Sequence, residues 1–304
     1  MKMGWFRALR WSSRRPGGLL VMVFVALVLA ACGKTTATTT PSPPLKPSGF
    51  IPAPAGLFSG ATPAPNGLMW VLAGTGNVRT LQQIDLAHRS DLGVVPAPSS
   101  AAAIAQSSTG LLGVGLGTAT TGALEIRNGT TGALVATVPV GEPVRSVAAG
   151  TNGVTFYVLD GDAASASVSV INTSADQVQG TVPVPLHSVA AIPDPGQDML
   201  WVLQPDGLVD EVTLASGKLA AQFSIGRSGR ALALSPDGNT LYALKGTGSV
   251  RNVAVVDVAT ESVSRALPAP ADALGLVLSP DGSTLYDLVG TPTVGNIQAF
   301  SLGS

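Results

Sequence analysis

The sequence is poor in the groups from which most catalytic and metal sites are built. It holds one cysteine and two histidines in 304 residues. A single thiol excludes an intrachain disulfide, so stability has to come from packing. The two imidazoles, His88 and His187, lack the spacing of a metal site, which needs several His, Asp or Glu converging. No Gly-x-Ser-x-Gly elbow and no P-loop occurs. Charge is scarce too: Asp, Glu, Lys and Arg make up 12% of the chain, 17 basic residues against 18 acidic. That balance is a poor match for nucleic acid, which is bound by an excess of basic side chains. The one long apolar run, from Leu19 to Ala31, has 13 residues, short of the about 20 that span a bilayer. Beyond it, no stretch sustains a helical period.

What the first residues do contain is order of another kind. Lys2, Arg7, Arg10, Arg14 and Arg15 precede the apolar run with no acid among them, the layout of a secretory signal peptide. The run ends in Leu29-Ala30-Ala31-Cys32, followed by Gly33. This resembles the lipobox of bacterial lipoproteins, and the lone cysteine falls where that motif requires the lipid-bearing residue. The resemblance implies cleavage before Cys32, lipidation of Cys32, and a protein held outside the cytoplasm on a membrane. Cleavage there leaves 12 basic and 18 acidic residues. The next stretch, GKTTATTTPSPPLKPSG, is Thr- and Pro-rich with hardly an apolar side chain. It buries too little surface to offset ordering entropy and reads as an extended tether. The expected divisions are a signal peptide over 1–31, a tether over 32–49 and a folded region over 50–304.

The folded region repeats itself. LALSPDGNTLYALKG runs from Leu232 to Gly246 and LVLSPDGSTLYDLVG from Leu276 to Gly290. Weaker copies precede them: VAAIPDPGQDMLWVL from Val189, VAAGTNGVTFYVL from Val147, AIAQSSTGLLGV from Ala103 and GATPAPNGLMWVL from Gly60. The residues matched to Tyr242 are Trp70, Leu112, Tyr157, Trp201 and Tyr286, at separations of 41 to 45. In each copy a turn follows the first apolar segment. A Gly-rich gap then leads to a third run such as LQQIDL or VAVVDV, and a fourth ends near Pro or Gly, as in LVATVPVG or VSRALPAP. Short alternating segments between turn residues predict strands. Four strands per roughly 43 residues is the period of a β-propeller blade.

Copy six has no fourth run before the last residue, whereas Phe50-Ile51-Pro52-Ala53-Pro54-Ala55 is similar to the end of a fourth run at Ala266–Ala271. The expectation is an all-β, six-bladed propeller whose ring is closed by the N-terminal strand pairing with the last blade. Such closure removes exposed sheet edges. The order S-P-D-G, then T-L-Y, then V-V-D-V-A-T-E-S-V resembles the YVTN-type β-propeller repeat, strongly in copies five and six and faintly in one and two. Propellers host many unrelated activities, so the resemblance implies architecture far more than function.

Within the repeat, the Ser-Pro-Asp-Gly segments at Ser235–Gly238 and Ser279–Gly282 read as turns, because the acid is lost in other copies while turn-forming residues stay. Asp160-Gly161-Asp162 starts like a calcium loop, but AASASVSV continues it without a carboxylate. The large residue of the second run reads as packing between blades. One register stands out. Ser100, Arg145, His187, Arg230 and Leu274 precede the first run of successive copies, and Arg145, His187 and Arg230 predict three basic groups at one rim of the central channel. A small anion or an acidic group of a cell-envelope partner would suit them; compensation by Glu142 and Asp272 is the plainer alternative. The sequence supports a lipid-anchored binding or protein-interaction scaffold, a monomeric propeller with no cofactor, metal ligand set or catalytic residue. A lactonase-like hydrolase with its site at the channel mouth is the alternative.

Overall fold

The computed structural model describes residues 47–302 apart from 55, 57–59, 65, 75–76 and 292–294. Cys32, the basic and apolar segments before it, and most of the Thr/Pro-rich stretch lie outside the described residues. Strands dominate, as the alternating segments require, and they form six four-stranded antiparallel sheets. Blade 1 comprises β2 (Gly60–Pro63), β3 (Leu68–Ala73), β4 (Arg79–Asp85) and β5 (Ser90–Ala97). Blade 2 comprises β6 (Ala101–Gln106), β7 (Leu111–Gly117), β8 (Gly122–Asn128) and β9 (Leu134–Pro139). Blade 3 comprises β10 (Val144–Ala149), β11 (Thr155–Gly161), β12 (Ala166–Asn172) and β13 (Gln177–Pro183). Blade 4 comprises β14 (Ala190–Pro193), β15 (Met199–Leu203), β16 (Leu208–Thr213) and β17 (Leu219–Ser224). Blade 5 comprises β18 (Gly229–Leu234), β19 (Thr240–Thr247), β20 (Val250–Asp257) and β21 (Ser262–Ala269).

Blade 6 is completed from both ends of the described chain. Its order is β22 (Ala273–Leu278), β23 (Thr284–Gly290), β24 (Gly295–Ser301) and then β1 (Pro47–Ala53). Ile51 pairs with Ile297 and Ala53 with Gly295 in antiparallel register. The closing strand starts three residues earlier than its apolar core at Phe50 suggests. Pro47 faces Phe300, Gly49 faces Ala299, and the Ser48 hydroxyl donates to the Ala299 carbonyl. An edge strand needs only alternate backbone bonds, so Pro and Gly are tolerated there.

The core consists of six apolar seams, one between each pair of neighbouring blades. Leu124 and Ile126 meet Val147, Phe156 and Val158 between blades 2 and 3, and Trp201 and Leu203 meet Leu241 and Ala243 between blades 4 and 5. The seam of blades 6 and 1, with Tyr286 and Leu288 against Met69 and Val71, closes the ring. Middle strands are covered on both faces and so read as continuous apolar runs, as in Met69-Trp70-Val71-Leu72. The outermost strands are the most exposed, and β5 is open over most of its length, though Val138, Val182, Leu267 and Ile51 of the others still reach the seams.

The large residue of the second strand lies in these seams. Trp70 and Trp201 are fully buried, and the Trp70 indole donates across to the Gly129 carbonyl of blade 2 at 2.6 Å. Blade 2 departs from the expected alignment by one residue. Leu111 pairs with Asn128 as Thr155 pairs with Asn172, so Gly113, and not Leu112, matches Tyr157. A Cβ at Gly113 would lie 2.8 Å from the ring of Phe156. Blade 3 thus fills, with Phe156, the space that blade 2 leaves empty.

Candidate functional site

The first strands β2, β6, β10, β14, β18 and β22 stand side by side around a central channel of about 490 Å³. Its wall is mainly apolar, from Ile104, Val147, Val189, Leu232, Leu276 and their neighbours. Thr62, Gln106 and Ser107 mark the end where these strands finish. Arg145 and Arg230 mark the end where they begin.

Both arginines occupy the same bulge. The β10–β11 ladder shifts between Val144 and Ser146, and the β18–β19 ladder between Gly229 and Ala231, which leaves one residue out of each. A bulge of this kind re-aims its side chain. The Arg145 Nε donates to the Gly161 carbonyl at 3.2 Å and its Nη2 to the Asp162 carbonyl at 2.8 Å. The Arg230 Nε donates to the equivalent carbonyl, that of Gly246, at 3.0 Å. Each guanidinium is therefore fastened at the rim by the end of the neighbouring second strand. Among the described residues neither is ion-paired, to Glu142, to Asp272 or to any other acid.

The third member of the expected trio is placed differently. His187 is exposed, outside the channel wall, with a left-handed backbone at φ 66°. Ser228, two residues before Arg230, has the same conformation at φ 65°. Blade 4 bulges nowhere in its first ladder, where Ile192 pairs with Trp201 as Ala233 pairs with Tyr242. That pairing puts Val189 in the arginine position and His187 two residues too early. Equal spacing along the chain concealed the offset, because the hairpin between β15 and β16 is shorter in blade 4: Leu203 pairs with Val209, whereas the equivalent Leu244 of blade 5 pairs with Val253. Ala102 occupies the bulge of blade 2, where Ser100 was expected, and Leu274 that of blade 6.

The repeated Ser-Pro-Asp-Gly segments are hairpin turns between first and second strands. Ser235 Oγ donates to Asp237 and accepts from the Thr240 amide at 2.9 Å, while Gly238, at φ 74°, donates its amide to the Ser235 carbonyl. Ser279, Asp281, Gly282 and Thr284 repeat this arrangement. Hydrogen bonds from Ser279 and from the amide and hydroxyl of Ser283 hold the Asp281 carboxyl down to about 2. Asp162 is likewise a turn residue, accepting the Ala164 and Ser165 amides. Asp85 accepts the Ala87 and His88 amides at the end of β4, and His88 pairs with the same carboxylate at 2.7 Å. Asn128 performs that role in blade 2, and Arg127 beside it forms a buried pair with Glu125 at 2.7 Å.

Two features escape a reading by repeat alignment. Asp287 is completely buried where the other five blades carry Val71, Val114 (one ladder step beyond Gly113), Val158, Val202 and Ala243. Neither carboxyl oxygen has a hydrogen-bond partner, and burial raises the group to about 7 against the opposing pull of Arg251. The second feature is a group of cations at the channel-rim end of blade 5: Arg227, Arg230, Lys245 and Arg251. Its one sequence signal is density, because four of the ten Lys and Arg residues between 47 and 302 fall within 25 positions. Among the described residues no group of three or more His, Cys, Asp or Glu side chains is arranged to hold a metal ion.

The architecture defines a class, the six-bladed β-propeller. No family model and no curated protein sequence matches the chain. Solved structures do match it, among them a chain of hydrazine synthase from Kuenenia stuttgartiensis. That likeness has a TM-score of 0.60 at 16% identity and covers 84% of this chain and 77% of the other. At such identity the likeness concerns the fold alone.

Proposed function

We propose that this chain is a lipid-anchored, extracytoplasmic β-propeller of the YVTN-repeat type that serves as a binding scaffold in the cell envelope. The observation that carries the binding role is the pair Arg145 and Arg230. Two guanidiniums, built into equivalent bulges, face one mouth of an apolar channel without an acid partner. Guanidinium donors left free in that setting suit a carboxylate or another small anionic group, presented by a small molecule or by a partner protein. The apolar wall behind them accommodates the less polar part of the same ligand. A lactonase-like hydrolase would need a base at this mouth, and among the described residues the channel wall presents no carboxylate or imidazole. The anchor rests on Leu29-Ala30-Ala31-Cys32 and the basic and apolar segments before it.

The test is cross-linking capture by the full-length chain in its own envelope fraction. Partners bound through the mouth should be captured by the wild type and lost from R145A/R230A. Identical capture by both forms would remove the channel mouth as the binding site.

A further inference from the structure

A second pocket, of about 280 Å³, lies at the rim end of blade 5. It is bordered by Arg227, Ser228, Lys245, Thr247, Val250 and Asn252, with Gly246 between them. The Gly246 carbonyl accepts from Arg230 and Gly246 pairs with Arg251 across the β19–β20 ladder, but Arg230 lines the channel, and Arg251 lies on the other face of the sheet, where its Nη1 donates to the Ala273 carbonyl of blade 6. The pocket is an opening that glycine makes. A Cβ at Gly246 would collide with the Val250 carbonyl at 2.2 Å, and one at Gly226 would lie 2.8 Å from the Lys245 ammonium.

The charges of the pocket wall are not compensated. Neither Arg227 nor Lys245 belongs to an ion pair among the described residues. Arg227 is exposed and makes no hydrogen bond among the described residues, while Lys245 donates to the Ile225 carbonyl. One buried polar atom of the wall, the Asn252 Oδ1, is left without a partner. Amide oxygen and nitrogen are interchangeable by rotation, so Asn252 can offer a donor at the same place. Buried polar atoms without partners call for an explanation. Two cations, an unpartnered amide and a hydroxyl around one cavity are what an anion with several oxygens would satisfy.

We propose that this pocket binds a phosphate dianion, either inorganic phosphate or the terminal phosphomonoester of a small molecule. Charge decides for phosphate over carboxylate. A monoanion would leave one of the two lining cations uncompensated, whereas a phosphomonoester brings about −1.5 to −2 charge and three strong acceptor oxygens. Arg227, Lys245, Thr247 and Asn252 supply the donors to those oxygens. The pocket is separate from the channel mouth, and the proposal holds whether or not the mouth is a binding site.

The experiment is calorimetric titration of the full-length chain in detergent at fixed ionic strength, with inorganic phosphate, glycerol phosphate and acetate as probes. Either phosphate probe should bind at least about tenfold more tightly than acetate, and R227A and K245M should each weaken it by about tenfold. K218A, which removes an exposed cation of blade 4, should leave the affinity unchanged. Tighter binding of glycerol phosphate would identify the organic ester as the source, and tighter binding of inorganic phosphate the free ion. R227A alters an exposed side chain without partners, so it reports even if K245M folds poorly. Equal affinity for acetate, or wild-type phosphate affinity in R227A, would overturn the proposal. Loss of phosphate binding in R145A alone would also overturn it, by locating the phosphate in the channel mouth.

Discussion

At the scale of single residues, the propeller depends on substitutions that break its own repeat. Phe156 occupies the space over Gly113, so the two positions are coupled across a seam. F156A should destabilise the fold by about 3–5 kcal/mol in chemical denaturation, the usual range for emptying a packed aromatic site. Asp287 is the opposite case, a carboxyl where the neighbouring blades have Val or Ala. Its folded-state group sits at about 7 against an ordinary value of 3.8, so the unfolded chain releases this proton first as pH rises. The contribution of Asp287 to stability is therefore fully present below about pH 4, falls between about 4 and 7, and is level above that. D287V should abolish this slope in melts run across that window and stabilise the protein at pH 8, since a buried apolar seam no longer has to hold a charge. An unchanged slope in D287V would show that the titration belongs to another group. Neither feature was legible from repeat alignment, which averages away the single-blade exceptions.

At the scale of the element, the most readable unit is the hairpin between first and second strands. Its glycine needs a left-handed backbone in five blades, at Gly67, Gly110, Gly153, Gly238 and Gly282, with φ between 71° and 83°. That need for a special conformation is why the turn shows in sequence while the acid before it varies. The hairpins also touch around the ring: a Cβ at Gly282 would lie 2.8 Å from Cδ of Pro236. G282A should cost more than about 1 kcal/mol, from the backbone and from that contact, measurable as a lower melting temperature. Asp281 makes a smaller, pH-dependent contribution. Its carboxyl is held down to about 2, so its benefit exists above about pH 4 and disappears as pH falls towards 2. D281N should flatten that acid limb. Strand order and the six-blade count were legible for the same reason as the turns, because every blade repeats them. The register of the bulge was legible at blades 3, 5 and 6. Bulges are invisible to counting, and His187 fell into line only because the short β15–β16 hairpin of blade 4 offset its displacement.

At the scale of the whole molecule, the ring is closed by seven residues from one end and three strands from the other. Removing β1 would leave β24 as an unpaired edge and uncover Ile297 in the seam of blades 6 and 1. Every other seam would remain intact, so the loss would be local in contacts. Its consequences would not be local, because a closed ring holds each blade from both sides while an open one exposes a hydrogen-bonding strand to other molecules. A chain lacking residues 47–53 should therefore show two changes together in light scattering and amide exchange: association through β24, and faster exchange in blades 6 and 1 than in blade 3. A synthetic peptide of the sequence PSGFIPA, added in excess, should reverse both by restoring the fourth strand. Monomeric behaviour with uniform protection in the truncated chain would mean that the six seams alone hold the ring and that β1 is dispensable. The channel supplies an independent readout, since Leu274, Leu276 and Leu288 of blade 6 line it. Opening the ring should weaken anything bound at Arg145 and Arg230, while the blade 5 pocket, built within one sheet and the turn before it, should keep its affinity for phosphate.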